Sequence, residues 1–329
     1  MSNWFEVPVT RLLLVLAIVI VVGAPAVSAQ EDEESQGEET QASASDRRRA
    51  MISTGLDSEA IAARWPDAAV WLEPPEEDRV LALFEPEKET PASGALLILA
   101  DEGQSVASGL AGALRQPMAR AGWAVMTVGL EPPPYAVQQA RRQQAITDAE
   151  MSRSNAGNGG TGNTDAGESI MIDVMDGVDV EELEDQYRTG IQKTLSVAVG
   201  DLKDKGYDRV AVAGIGTASG HVARMAPTAG GDVSALVWIA PVFARSDSSD
   251  LTEWLSEAGQ IRVLELHSSR APEVAEGAGL RSPKEREAAF RRADITAYTR
   301  QPVAMSDRPE PRDAPALANR LSAWLASDR

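Results

Sequence analysis

A chain of 329 residues, 43% hydrophobic and 25% charged, has a globular composition and enough length to bury a core unaided. It contains no cysteine, which excludes disulfides and a lipid-modified N-terminus alike. Asp and Glu number 50 against 31 Lys and Arg, and the resulting charge of −19 argues against nucleic acid and anionic lipid surfaces as partners.

Residues 1–29 read as a secretory signal. Arg11 precedes an apolar run over residues 12–22, followed by Gly23, Pro25 and the small-residue exit Val27-Ser28-Ala29. A permanent membrane span needs about 18 or more apolar residues, and this run is shorter. Cleavage after Ala29 is expected, with export to the periplasm, or secretion as the alternative. Residues 30–50 carry Glu31-Asp32-Glu33-Glu34 and then Arg47-Arg48-Arg49 without apolar periodicity. They read as a solvated disordered linker, or as a tether holding the folded part off a surface.

Residues 51–329 read as one folded domain. Strand-like runs at 70–72 and 79–84 flank Pro74-Pro75 and form an antiparallel hairpin. The continuous apolar run 94–100, a helix over 106–121 and a strand over 123–128 make a β-α-β unit. Pro132-Pro133-Pro134 opens an insertion of about 132–179. Its first part, 135–153, is polar and reads as a loose helix; 155–167 is low-complexity Gly, Asn and Thr. The insertion is a surface excursion, with a lid or docking arm as the alternative.

Leu183, Tyr187, Ile191, Leu195, Val199 and Leu202 then recur at helical spacing. Strands follow at 209–213, 235–240, 261–266 and 295–299, alternating with helices at 218–225, 251–258, 283–292 and 316–326. An antiparallel start followed by six strands separated by helices predicts a doubly wound, mostly parallel α/β sheet.

The glycine-rich turn after residues 209–213 admits two chemistries. Gly214 and Gly216 fit part of a dinucleotide fingerprint, but Ser219 stands at the third glycine position. Gly214-Ile215-Gly216-Thr217-Ala218 also has the shape of a nucleophile elbow with glycine in the middle, where a strained backbone suits glycine but offers no attacking atom.

With this elbow and this order of strands the chain resembles the α/β-hydrolase superfamily from Val70 onward. Leu-Leu-Ile-Leu-Ala-Asp-Glu-Gly-Gln, ending in Asp101-Glu102-Gly103-Gln104, and the Gly-x-Gly elbow resemble more narrowly an uncharacterised bacterial family, domain of unknown function 3530. That family implies architecture and no activity. In the hydrolase pattern the nucleophile maps to Gly216. The acid maps after 261–266, where His267-Ser268-Ser269-Arg270 precede the first carboxylate, Glu273. The histidine maps after 295–299, and residues 300–313 contain none.

Other residues could hold a site. His267 ends a strand, where ligands bind in open α/β sheets, and is either structural or catalytic with Ser105, Ser219 or Asp101. Ser219 and His221 are two apart on a helix and diverge too far to form a dyad. Asp101, Glu102, Gly103, Gly214, Gly216 and Thr217 are the candidate binding residues; the bland alternative for the acids is a solvated helix-capping turn. No metal and no cofactor is expected. Three functions stay open: a catalytically degenerate binder of a small molecule or envelope partner, an ester or amide hydrolase with an atypical site, and a nucleotide-binding protein.

Overall fold

The computed structural model describes residues 55–156, 179–259, 261–270 and 282–327, with side chains described for all of these except 148–156. The leader, the linker, Glu273 and most of the stretch 155–167 lie outside the described residues. Among the described residues the strands are β1 (Ala69–Leu72), β2 (Val80–Glu85), β3 (Gly94–Glu102), β4 (Trp123–Leu130), β5 (Val210–Ile215), β6 (Ala235–Ile239), β7 (Arg262–Ser268) and β8 (Tyr298–Val303). The helices are α1 (Ser58–Arg64), α2 (Gly109–Arg120), α3 (Tyr135–Ala156), α4 (Val180–Asp204), α5 (Ala218–Arg224), α6 (Arg245–Glu257), α7 (Pro283–Arg292) and α8 (Ala314–Ala326).

The strands form a single sheet in the order β1-β2-β4-β3-β5-β6-β7-β8. β1 pairs antiparallel with β2 and β2 antiparallel with β4, and every other pairing is parallel. This is the hydrolase-like plan that the sequence predicts, hairpin included. Side chains of a strand alternate between faces, so β3 feeds two cores at once. Leu97 and Leu99 pack with the α4, α5 and α6 side, whereas Leu96 and Ile98 pack with α2 and α8.

The last strand starts three residues later than its apolar pattern suggests. Asp294 takes a left-handed conformation after α7, and the Ile295 N–H returns to the Phe290 carbonyl at 3.0 Å. Ile295 is therefore the apolar residue that closes a helix end, a role with the same local signature as a strand start. α2 likewise begins at Gly109 rather than near 106, because Val106 is buried in a small cluster with Leu81 and Leu83. Within the sheet a charged residue is fully buried: Glu265 of β7 accepts from Arg286 of α7 at 2.5 and 3.0 Å and from the Tyr298 hydroxyl at 2.6 Å. Among the described residues no helix is long and apolar enough to cross a membrane.

Candidate functional site

The turn between β5 and α5 is built as an elbow. Gly216 has φ +59°, which glycine adopts without steric cost. Gly214 has no room for a side chain either: a Cβ there would lie 2.7 Å from the Ala218 carbonyl and Ser219 Cα, so the helix start packs directly on the strand. The elbow is tied to the neighbouring strand, since the Gly216 N–H donates to the Ile239 carbonyl (2.9 Å) and the Val242 N–H donates to the Gly216 carbonyl (3.0 Å).

Asp101, at the end of β3, stands over the elbow. Its Oδ1 accepts from the Thr217 N–H (3.0 Å), the Thr217 hydroxyl (2.8 Å) and the Glu102 N–H (2.9 Å). A Cβ added to Gly216 would come within 2.5 Å of Asp101 Cγ and Oδ2. The carboxylate thus fills the space that a nucleophile's side chain would need. The N–H of the residue after the nucleophile and an N–H of the loop after β3 are the two donors that hold the oxyanion in this fold. Here Thr217 follows the elbow glycine and Glu102 is the last residue of β3, and both of their N–H groups donate to Asp101 Oδ1. Asp101 does not cap the following helix, whose first residue is preceded by Ser108.

A second polar layer surrounds this contact. Arg141 of α3 reaches Glu102 Oε2 at 3.2 Å and forks onto Glu184 of α4 at 2.6 and 3.1 Å; Arg188 adds a contact to Glu184 at 2.8 Å. The Tyr187 hydroxyl donates to the Glu131 carbonyl (2.6 Å), and its ring meets the His221 ring edge-on at 5.8 Å. Burial raises the Glu102 pKa, with Arg141 opposing. Burial also works against the Glu184 charge, but Arg141 and Arg188 outweigh it and hold that carboxyl below its usual range. Arg141, Glu184 and the Tyr187 hydroxyl are not legible as site residues in the sequence: Tyr187 reads there as part of an apolar stripe, and Arg141 as one of many polar residues in the insertion.

His221 is buried, and burial together with Arg141, Arg188 and Arg224 lowers its pKa to about 4, against a smaller opposing effect of Glu184. Its folded pKa lies below the ordinary value of 6.5, so the unfolded chain binds more protons between the two values and stability falls as pH falls through that window. From pH 7 to pH 5 this residue should account for about 2 kcal/mol of lost stability. His221→Gln is expected to flatten the dependence by that amount in urea titrations at pH 7, 6 and 5. Equal slopes in both proteins would refute the assignment.

The other candidates are not drawn into the elbow. Ser219 is fully buried and its hydroxyl donates to the Gly214 carbonyl (3.0 Å), a packing role at the helix start. The Ser105 carbonyl accepts from the N–H and hydroxyl of Ser108, both at 3.1 Å, within the turn before α2. His267 lies on β7, two strands from β5. Its Nε2 is 3.5 Å from Arg300 Nη1, and its buried Nδ1 has no hydrogen-bond partner among the described residues. Burial lowers its pKa, opposed by Glu265. Gly103, with φ +78°, donates its N–H to the Leu130 carbonyl and turns the loop after β3. Residues 304–313, after β8, contain no histidine. Among the described residues no cluster of three His, Asp or Glu could hold a metal ion. A phosphate at the Gly214 turn would need the Thr217 N–H, which already faces a carboxylate of the same sign as the ligand.

Among solved structures, the chain is similar to Est1E of Butyrivibrio proteoclasticus bound to ferulic acid (11% identity, TM-score 0.49, 78% of this chain and 98% of that one). It is similar also to the esterase Pf2001 of Pyrococcus furiosus (10%, 0.48, 78% and 91%) and to a dienelactone hydrolase of Anabaena variabilis (14%, 0.44, 78% and 95%). These scores lie below 0.5, and the fold assignment rests on the strand order instead. No curated protein matches the sequence. The family described as "Protein of unknown function (DUF3530)" matches residues 11–327, and the chain belongs to that family.

Proposed function

We propose that this protein is an exported α/β-hydrolase-fold protein that binds a small molecule or another envelope component and performs no hydrolysis. The observation that carries the reading is Asp101 Oδ1, which accepts from both the Glu102 and Thr217 N–H groups above a glycine elbow. A carbonyl oxygen that turns negative needs those donors free, and a fixed carboxylate there both occupies them and repels the developing charge. Gly216 supplies no nucleophile. Export rests on the short apolar run of residues 12–22 with its small-residue exit.

The test is direct. A serine-reactive fluorophosphonate probe should leave the protein unlabelled, and short-chain esters should not turn over above background. Stoichiometric labelling at Ser105 or Ser219 would reverse the conclusion in favour of an envelope hydrolase of ester or amide bonds with an atypical site.

A further inference from the structure

The two backbone donors around Asp101 Oδ1 are held by contacts that do not involve the Asp101 side chain. Thr217 is fixed by the elbow, whose Gly216 backbone bonds to Ile239 and Val242 on the β6 side. Glu102 is fixed by its register opposite Leu130 in β4, by the Gly103 N–H to the Leu130 carbonyl, and by its side chain on Arg141. Three donors thus converge on one point from segments 115 residues apart, the hydroxyl of Thr217 adding to two backbone N–H groups and its oxygen sharing the Glu102 N–H at 3.3 Å. Neutral donors preorganised in this way form a receptor for a single anionic oxygen, and charge-assisted bonds of this kind are the strong ones.

We propose that this hole is a carboxylate-binding site whose resident ligand is the protein's own Asp101, an autoinhibitory side chain that keeps the site shut. The proposal deepens the non-hydrolytic reading above and rests on it: the same residue that blocks a reacting carbonyl is bound as a ligand would be. The chemistry of the guest follows from the host. An aspartate side chain beyond Cα has the shape of acetate, so removing it leaves a space of that size with all three donors in place. Asp101 has no positive φ, so glycine is accommodated there at the ordinary cost of a freer backbone.

The experiment uses the full-length chain carrying Asp101→Gly. Sodium acetate should raise its melting temperature saturably, by roughly 5 °C at a hundredfold excess over Kd, while sodium chloride at equal ionic strength should not. The unmodified protein should not respond to acetate, and neither should Asp101→Asn, whose amide oxygen still fills the hole. Adding Thr217→Val to Asp101→Gly removes one donor and should weaken acetate binding about tenfold. If Asp101→Gly fails to fold alone, acetate should restore its refolding, and Asp101→Ala, which leaves room for formate, should show the same rescue by formate. A folded Asp101→Gly protein indifferent to acetate, or no rescue in either variant, overturns the proposal. An equal acetate response in the unmodified protein overturns it too, because the ion would then be binding elsewhere. Fluorophosphonate labelling of the unmodified protein is a separate readout: it sinks the non-hydrolytic reading and leaves the acetate result to be judged by itself.

Discussion

Glu265→Leu is expected to destabilise the fold by about 3–5 kcal/mol, because it removes one partner of a buried ion pair. The carboxylate has no solvent exposure and holds both a bidentate guanidinium and a phenol. Burial and the neighbouring carboxylate also raise the Tyr298 pKa, which keeps that phenol a donor. With leucine in place, the Arg286 charge stays 6% exposed, over the Phe243 ring at 5.2 Å, and loses a carboxylate that helps to offset its desolvation. Total stabilities of domains run to about 5–15 kcal/mol, so the loss is a large fraction of the whole. Adding Arg286→Met should recover most of it, since replacing both charges by apolar groups of similar volume is often neutral. Urea midpoints of the two variants measure this; a loss below about 1 kcal/mol in the single variant would mean that the pair is far better solvated than its burial indicates.

Gly216→Ser is expected to cost about 2–5 kcal/mol and to yield no enzyme. A left-handed backbone costs a side-chain-bearing residue about 1–2 kcal/mol, and forcing atoms into a filled space adds about 1–3. The filled space here is the Asp101 carboxylate, 2.5 Å from where the new Cβ would stand. The two contributions separate in a double-mutant cycle: introduced beside Asp101→Gly, the serine should retain the backbone cost and lose the collision, a coupling of about 1–3 kcal/mol. Absence of coupling would show that Asp101 swings aside freely. Ester turnover should stay at background in both backgrounds, because a hydroxyl needs a base within hydrogen-bond reach. Among the described residues neither ring nitrogen of His221 or His267 is hydrogen-bonded to the elbow, and His267 lies two strands away.

Most of the sheet is legible in the sequence because a strand buried on both faces has to be continuously apolar, as residues 95–100 are, and because Gly214 and Gly216 mark a turn that only small residues can make. The glycine at the middle of the elbow is legible for a simpler reason: it is a matter of residue type at a position that local pattern locates. Where helix ends and strand starts share a signature, as at Ile295, the pattern misplaces the boundary.

The residues themselves determined the layered α/β plan, the glycine elbow and the acidic, cysteine-free character of the chain, because each is written in local spacing and composition. Tertiary structure alone decided what stands at the elbow. Asp101 meets Thr217 across 116 positions of chain, Arg141 crosses from a polar insertion to Glu102 and Glu184, and Glu265 finds Arg286 and Tyr298 inside an apolar run. No periodicity encodes such pairs. They arise because the strand order sets β3 beside β5 and β7 beside β8, and a polar group buried by that order is retained only where another polar group arrives to meet it.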